Sequence, residues 1–308
     1  MIVKQRKVSI YIEKLQALLR RISPTHPKRK EIEETLSRSI AGHNGEKSID
    51  YYINFLPEQK YFIFHDLRLE QQQHYFQLDI LLVSSSFFLI VEVKNISGTI
   101  VFEPEFHQFL RISHSKEERF PNPILQVGRQ RTQFITWLAK HKLYDIPVET
   151  LVVFSNPNTV IKKSSANTSR VIIIENFPAK IHQFEKNYKK EKLSQQELRR
   201  ICRLLIKHND PYTPDIVKRF EVQENEILTG IRCSHCHWFS MKRKKAHWLC
   251  PLCNSSSKTA HIEALMDYTL LMGTTITNQQ ARNFLQLPSL SATSKLLSSL
   301  NLPKSGNT

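Results

Sequence analysis

The stretch LDILLVSSSFFLIVEVKN, Leu78 to Asn95, decides the fold. Two apolar runs rich in Leu, Ile, Val and Phe flank three serines, the composition of two core strands joined by a turn. Yet it places Asp79, Glu92 and Lys94 among residues due for burial. Side chains two apart on a strand share a face, so Glu92 and Lys94 point the same way. An antiparallel return through Ser84–Ser86 brings the start of the first strand beside the end of the second, so Asp79 converges with them at one end of the sheet. Unpaired buried charges cost several kcal/mol each, so these must pair, hold a cation or border an open cleft. A salt-bridged strand edge is the plain alternative, but the apolar run Phe87–Val91 and Val93 does not suit a solvated edge. Two neighbouring carboxylates repel when both are ionised. A divalent cation removes that penalty while polarising a phosphodiester and its attacking water, and a lysine alongside can orient the water or steady the developing charge. The three charges read as a metal-dependent phosphodiesterase site.

Around the hairpin the periodicity changes repeatedly. Residues 1–40 read as two helices broken at SPTHPKRK, and GHNGEKSIDYYINFL reads as a further helix entered through a glycine-bearing loop, with Glu46 in its first turn. YFIFHDLRL is a strand, NPILQVGRQRTQFITWLAKHK returns to helical spacing, and ETLVVFSN and SRVIIIEN read as buried strands. The order of helix, strands, helix and strands predicts an α/β domain with a mixed central sheet.

With Asp79, twelve intervening residues and then Glu92-Val-Lys94, the chain resembles the PD-(D/E)xK nuclease superfamily, and its surroundings resemble the nuclease-related (NERD) branch. The likeness runs from about Gly42 to Asn176. It includes Gly42, Gly45 and Glu46, the HDLRL strand, Gly98 after ISGTI's serine, and Gln126 within NPILQ. The resemblance implies a restriction-endonuclease-like fold in which Asp79 and Glu92 bind Mg²⁺ or Mn²⁺. It also implies that Lys94 positions or activates water, Glu46 completes the acidic cluster and Gln126 steadies the site. Taken by themselves, Glu46 also suits a helix N-terminus and Gln126 an exposed helix face. No proline precedes Asp79, a departure from the common pattern. His43, His65, His74, His107 and His114 show no ligand spacing and read as surface or loop residues.

Cys233-x-x-Cys236, thirteen residues, and Cys250-x-x-Cys253 have the spacing of a closed four-thiolate Zn²⁺ site and resemble a zinc ribbon, a structural rather than catalytic centre. Lys242, Arg243, Lys244 and Lys245 fall at the tip of the intervening hairpin, as a phosphate contact or a solvated turn. Trp238 and Trp248, on either side of it, suit base stacking or packing on the small metal core, and packing is the reading favoured for both. The last segment reads as three short helices, either a helix-turn-helix module presenting Ser291, Thr293 and Ser294 to a groove or a plain helical bundle.

Lys and Arg number 44 against 28 Asp and Glu, a formal charge of +16, which favours a polyanionic partner. Asp79 and Glu92 interrupt the longest apolar run, leaving nothing that spans a membrane, and the N-terminus lacks a signal peptide's apolar region. Four of the five cysteines sit in metal spacing rather than a disulfide framework, so a cytoplasmic location is expected. The divisions expected are basic N-terminal helices (1–41), the nuclease-like domain (42–180), a helical linker (181–230), the zinc ribbon (231–256) and the helical tail (257–308). The function expected is a metal-dependent nuclease acting on DNA, with the ribbon and tail holding substrate and the N-terminal helices adding non-specific grip. The rivals are an inactive nuclease fold that binds nucleic acid and a protein-binding role for the C-terminal part.

Overall fold

The computed structural model describes residues 1–103, 105–113, 116–162 and 169–303. Strand β1 (Ile2–Lys4), helix α1 (Ile10–Arg21) and the long helix α2 (Arg29–Ile53) come first. Strands β2 (Phe62–Gln71), β3 (His74–Val83), β4 (Phe88–Lys94), β5 (Gly98–Glu103), β6 (Gln108–Ser113) and β7 (Lys116–Phe120) precede helix α3 (Pro123–Lys140). Strands β8 (Val148–Phe154), β9 (Thr159–Lys162) and β10 (Val171–Ile173) lead to helices α4 (Phe177–Asn187), α5 (Gln195–Lys207) and α6 (Ile216–Arg219). Short strands β11 (Lys242–Lys244), β12 (His247–Leu249) and β13 (Ser256–Ser257) are followed by helices α7 (Ala260–Leu271), α8 (Asn278–Leu285) and α9 (Leu290–Ser298).

The chain forms two compact units. The first comprises residues 1–7 and 39–212; the second comprises residues 8–38 and 213–308. The first is built on a six-stranded mixed sheet of order β1-β2-β3-β4-β8-β10, in which β2, β3 and β4 are antiparallel while β4, β8 and β10 run parallel. Side chains of β4 alternate between the two layers that cover it. Phe88 and Ile90 join Phe134 and Trp137 of α3, whereas Leu89, Val91 and Val93 join Ile49 and Ile53 of α2 and Phe177 and Ile181 of α4. Glu92, in step with Phe88 and Ile90, therefore faces α3.

Three features differ from the sequence reading. The opening residues form a strand rather than part of a helix, with Ile2–Lys4 pairing parallel to β2. Helix α2 runs unbroken through Gly42 and Gly45, so Glu46 lies well inside a helix and caps none. Gly45 owes its place to close approach: a Cβ there would stand 2.4 Å from Asn95 Cβ and 2.9 Å from Ser155 Oγ. A second sheet of order β7-β6-β5-β9 follows the hairpin. Its strands are short and carry charged runs such as KEERF, which hide the alternation.

The second unit packs Leu15 and Leu18 of α1, Ile32 of α2 and Phe220 with Trp248, Tyr268, Phe284 and Leu296 in one core. Arg21, 1% exposed, holds Asp267 Oδ2 at 2.8 Å, and Arg20 holds Oδ1 at 2.6 Å. Both cations of the N-terminal segment are therefore paired with Asp267, Arg21 buried and Arg20 partly exposed. Three helices form the tail, but Thr293 is fully buried, its hydroxyl donating to Ser289 O; only Ser291 and Ser294 of the three proposed groove residues are exposed.

Candidate active site and metal centre

Strands β2 and β3 pair from Phe62↔Val83 to His65↔Ile80 and resume at Leu67↔Leu78, with Asp66 in a left-handed conformation (φ 52°) at the interruption. Beside it the β3–β4 ladder ends at Ile80↔Val91, and the Asp79 carboxylate takes over, accepting the Val93 N–H at 2.9 Å. The sheet thus opens where Asp79 sits. Burial pushes the Asp79 carboxyl well above the usual carboxylate range, and the charges of Glu92 and Glu46 push it further, against the Val93 hydrogen bond and Lys94.

Glu92 is 2% exposed, and its oxygens collect three donors. Lys94 Nζ lies 2.6 Å from Oε1, Gln126 Nε2 also donates to Oε1 at 2.6 Å, and Gln130 Nε2 donates to Oε2 at 2.8 Å. Gln126 Oε1 in turn accepts from Lys94 Nζ at 3.1 Å, closing a Glu92–Lys94–Gln126 triangle. Both glutamines come from α3, whose start is fixed by the Asn122 side chain accepting the Ile124 N–H, with Pro123 in the first turn. They lie one helical turn apart on the face turned to β4.

Glu46 enters from α2, partly exposed, with Arg6 Nη1 2.9 Å from its carboxylate. Burial, followed by the negative charge of Asp66, raises its pKa to about 7 despite Arg6. Arg6 also reaches Asp50 and Asp66 at 3.4 Å and His65 Nδ1 at 2.8 Å. His65 is buried on β2, not on the surface as its isolated position in the sequence suggested; burial, then Arg6, lowers its pKa to about 4. His114 lies outside the described residues.

The structure thus gathers Asp79, Glu92, Lys94 and Gln126 at one end of the sheet, with Glu46 coupled to them electrostatically. Sequence reading missed Gln130, Arg6 and Asp66. The Q-x-x-x-Q spacing on a helix could have flagged Gln130; nothing local could have brought Arg6 to the acids, because that contact bridges forty residues. An all-oxygen donor set suits Mg²⁺ or Mn²⁺. The mutual repulsion of the carboxylates is what such an ion relieves, and Gln130 Oε1 is a buried acceptor with no donor among the described residues. Mg²⁺ commonly uses one or two carboxylates and keeps several waters, so Asp79 and Glu92 suffice in number.

Among the described residues, the group of three or more Cys, His, Asp or Glu side chains drawn around one point is Cys233, Cys236, Cys250 and Cys253, whose sulfurs all lie within 4.8 Å of one another. Cys233–Cys253 and Cys236–Cys250 are 3.6 Å apart, far beyond a disulfide bond of about 2.05 Å. They are close to the roughly 3.8 Å between thiolates placed tetrahedrally at Zn–S distances. Burial opposes ionisation of Cys233, but Ser255 Oγ and the Cys236 and His235 N–H groups outweigh it and lower the pKa to about 7. The Ser240 hydroxyl leads in lowering Cys250 to about 6. The quartet can be a zinc site. Of the four basic residues on the hairpin, Lys242, Lys244 and Lys245 are exposed, while Arg243 turns inward over the Trp248 ring at 5.2 Å. Trp248 is buried as expected; Trp238 is 68% exposed and does not pack on the metal core.

Residues 41–155 match the family model NERD, the nuclease-related domain, so the segment carrying Glu46, Asp79, Glu92, Lys94 and Gln126 is nuclease-related. No curated protein and no solved structure matches the chain. No described helix is long and apolar enough to cross a membrane.

Proposed function

We propose that the protein is a Mg²⁺- or Mn²⁺-dependent nuclease that hydrolyses phosphodiester bonds of DNA. The observation that carries this reading is the Asp79–Glu92–Lys94–Gln126 constellation at the open end of the sheet, inside the nuclease-related segment. Asp79 and Glu92 would hold the ion, which when bound supplies Lewis-acid polarisation of the phosphoryl oxygen and of its own water. Lys94, held by Glu92 and Gln126, presents an ammonium to the attacking water or to the charge gathering on the phosphate. Gln126 and Gln130 orient Glu92 by hydrogen bonds to its two oxygens, and Glu46, with a pKa near neutrality, can accept a proton from water.

One observation favours a second reading. Glu92 is fully paired by Lys94, Gln126 and Gln130 within the protein itself, as in a nuclease fold retained for binding alone. Cleavage of single- and double-stranded DNA with Mg²⁺ or Mn²⁺ decides between them. We expect Glu92→Ala and Lys94→Ala to abolish cleavage while leaving binding largely intact. Cleavage unchanged in both variants would place the chemistry elsewhere, and metal-independent binding without cleavage by the wild type would favour the second reading.

A further inference from the structure

The two cysteine knuckles repeat one another turn for turn. In the first, His237 N–H donates to Cys233 O (2.9 Å) and Cys233 N–H to Trp238 O (2.8 Å), with His237 at φ 64°. In the second, Asn254 N–H donates to Cys250 O (2.9 Å) and Cys250 N–H to Ser255 O (2.9 Å), with Asn254 at φ 57°. Trp238 and Ser255 therefore occupy equivalent places. Ser255 turns inward, its hydroxyl 2.9 Å from Cys233 Sγ and 3.2 Å from Cys253 Sγ. A small residue thus meets the backbone requirement in one knuckle, while the other carries an indole left in solvent. The chain's other tryptophans, Trp137 and Trp248, are buried at 2% and 1% exposure. Neither knuckle geometry nor core packing accounts for an indole at position 238.

The charge around it is one-sided. From Ile227 to Ile262 there are six basic residues and no acidic one. Lys242 and Lys244 are exposed on β11, and Lys245 is exposed at the turn that follows (φ 35°). An open aromatic face on a basic, acid-free ribbon suits a strand whose bases are free to stack, since bases paired in a duplex already cover both of their faces. We propose that Trp238 is a stacking platform for single-stranded nucleic acid, with Lys242, Lys244 and Lys245 contacting its phosphates. This rests on the nuclease reading and narrows it: the second unit holds unpaired segments or ends.

The test uses the full chain with short oligo(dT), its RNA counterpart oligo(U), and a duplex of equal length. Trp238 is the one tryptophan open to solvent, so oligo(dT) or oligo(U) should quench the intrinsic emission and protect it from acrylamide. Trp238→Ser, which copies the equivalent Ser255, should lose roughly 5- to 150-fold in single-strand affinity, the effect of one stacked base. Duplex affinity and zinc content should be unchanged, and Trp238→Phe should retain most of the binding. Absent quenching, unchanged single-strand affinity in Trp238→Ser, or an equal loss on duplex overturns the platform while leaving the nuclease reading intact. A wild type that binds none of the three probes overturns both.

Discussion

Gly45 of α2 and Asn95, the residue after β4, approach so closely that a Cβ on the glycine would meet Asn95 Cβ at 2.4 Å. Neither atom is the tip of a flexible side chain, so the contact fixes how near the helix bearing Glu46 comes to the strand bearing Glu92 and Lys94. Gly45→Ala must push α2 away from the sheet end. We expect a destabilisation of roughly 1–3 kcal/mol, as for other overpacked cores, together with impaired cleavage. Gly42, three residues earlier, is exposed and an added Cβ meets nothing within 4 Å. Gly42→Ala should therefore stabilise the helix by up to about 1 kcal/mol. Urea denaturation of the two variants gives the comparison; equal behaviour would deny the close approach any role.

That contact also shows what the sequence could and could not yield. The hairpin was legible because strand alternation and charge placement are local: Leu78–Asn95 fixes the sharing of a face by Glu92 and Lys94. The zinc-type quartet was legible because ligand spacing is written in the chain. Gly45 was misleading, because a glycine demanded by neighbours fifty or more residues away, Asn95 and Ser155, looks in sequence like a loop. Arg6 was illegible for the same reason. Its side chain is 5% exposed and meets Glu46, Asp50 and Asp66, none of them near it in the chain. Trp238 was misread because proximity to cysteines suggested packing, whereas the left-handed His237 and the knuckle hydrogen bonds hold it without burying it.

The raised carboxyls of the sheet end make a pH prediction. Glu46, lifted from an ordinary 4.5 to about 7 by burial and by Asp66, keeps its proton in the native state where the unfolded chain has released it. Asp79 is shifted in the same direction by burial and by Glu92. The native state then binds more protons, so this contribution to stability is fully present below the unfolded carboxyl pKa and is lost as pH rises through about 7. A divalent ion binds the ionised carboxylates, so its stabilising effect should grow over the same window. With zinc left in place and no other divalent ion added, the thermal midpoint should fall on going from weakly acidic to weakly alkaline buffer, and the rise produced by Mn²⁺ should be larger at the alkaline end. Asp79→Asn should flatten the metal effect. A Mn²⁺-induced shift that ignores pH would dissociate the ion from these carboxyls.

For the cysteine quartet we expect one tightly held zinc ion per chain. Metal binding and local folding are coupled when four thiolates converge on a small core. Cys250→Ser should lower the metal content and deprotect backbone amides of residues 231–255 in hydrogen exchange, leaving the first unit protected. Purified wild type that is free of metal yet protected throughout this segment would refute the zinc assignment.

The basic hairpin allows the sharpest separation of roles, because its four cations are not equivalent. Arg243 lies over buried Trp248, so reversing its charge attacks the core, whereas Lys242, Lys244 and Lys245 point to solvent and can be reversed without touching the cysteines. Each phosphate contact contributes about 0.7 to the slope of log affinity against log salt on a single strand. If all three lysines touch phosphate, the triple change to glutamate should weaken single-strand binding and flatten that slope by up to about 2.1. Cleavage at saturating substrate should survive, since every residue proposed for the site lies in the first unit and the three lysines in the second. A loss of affinity with the slope unchanged would mean that these lysines do not meet phosphate. The exposed face of the hairpin would then be better explained as a surface for another protein, with the nuclease-related unit left to find its substrate alone.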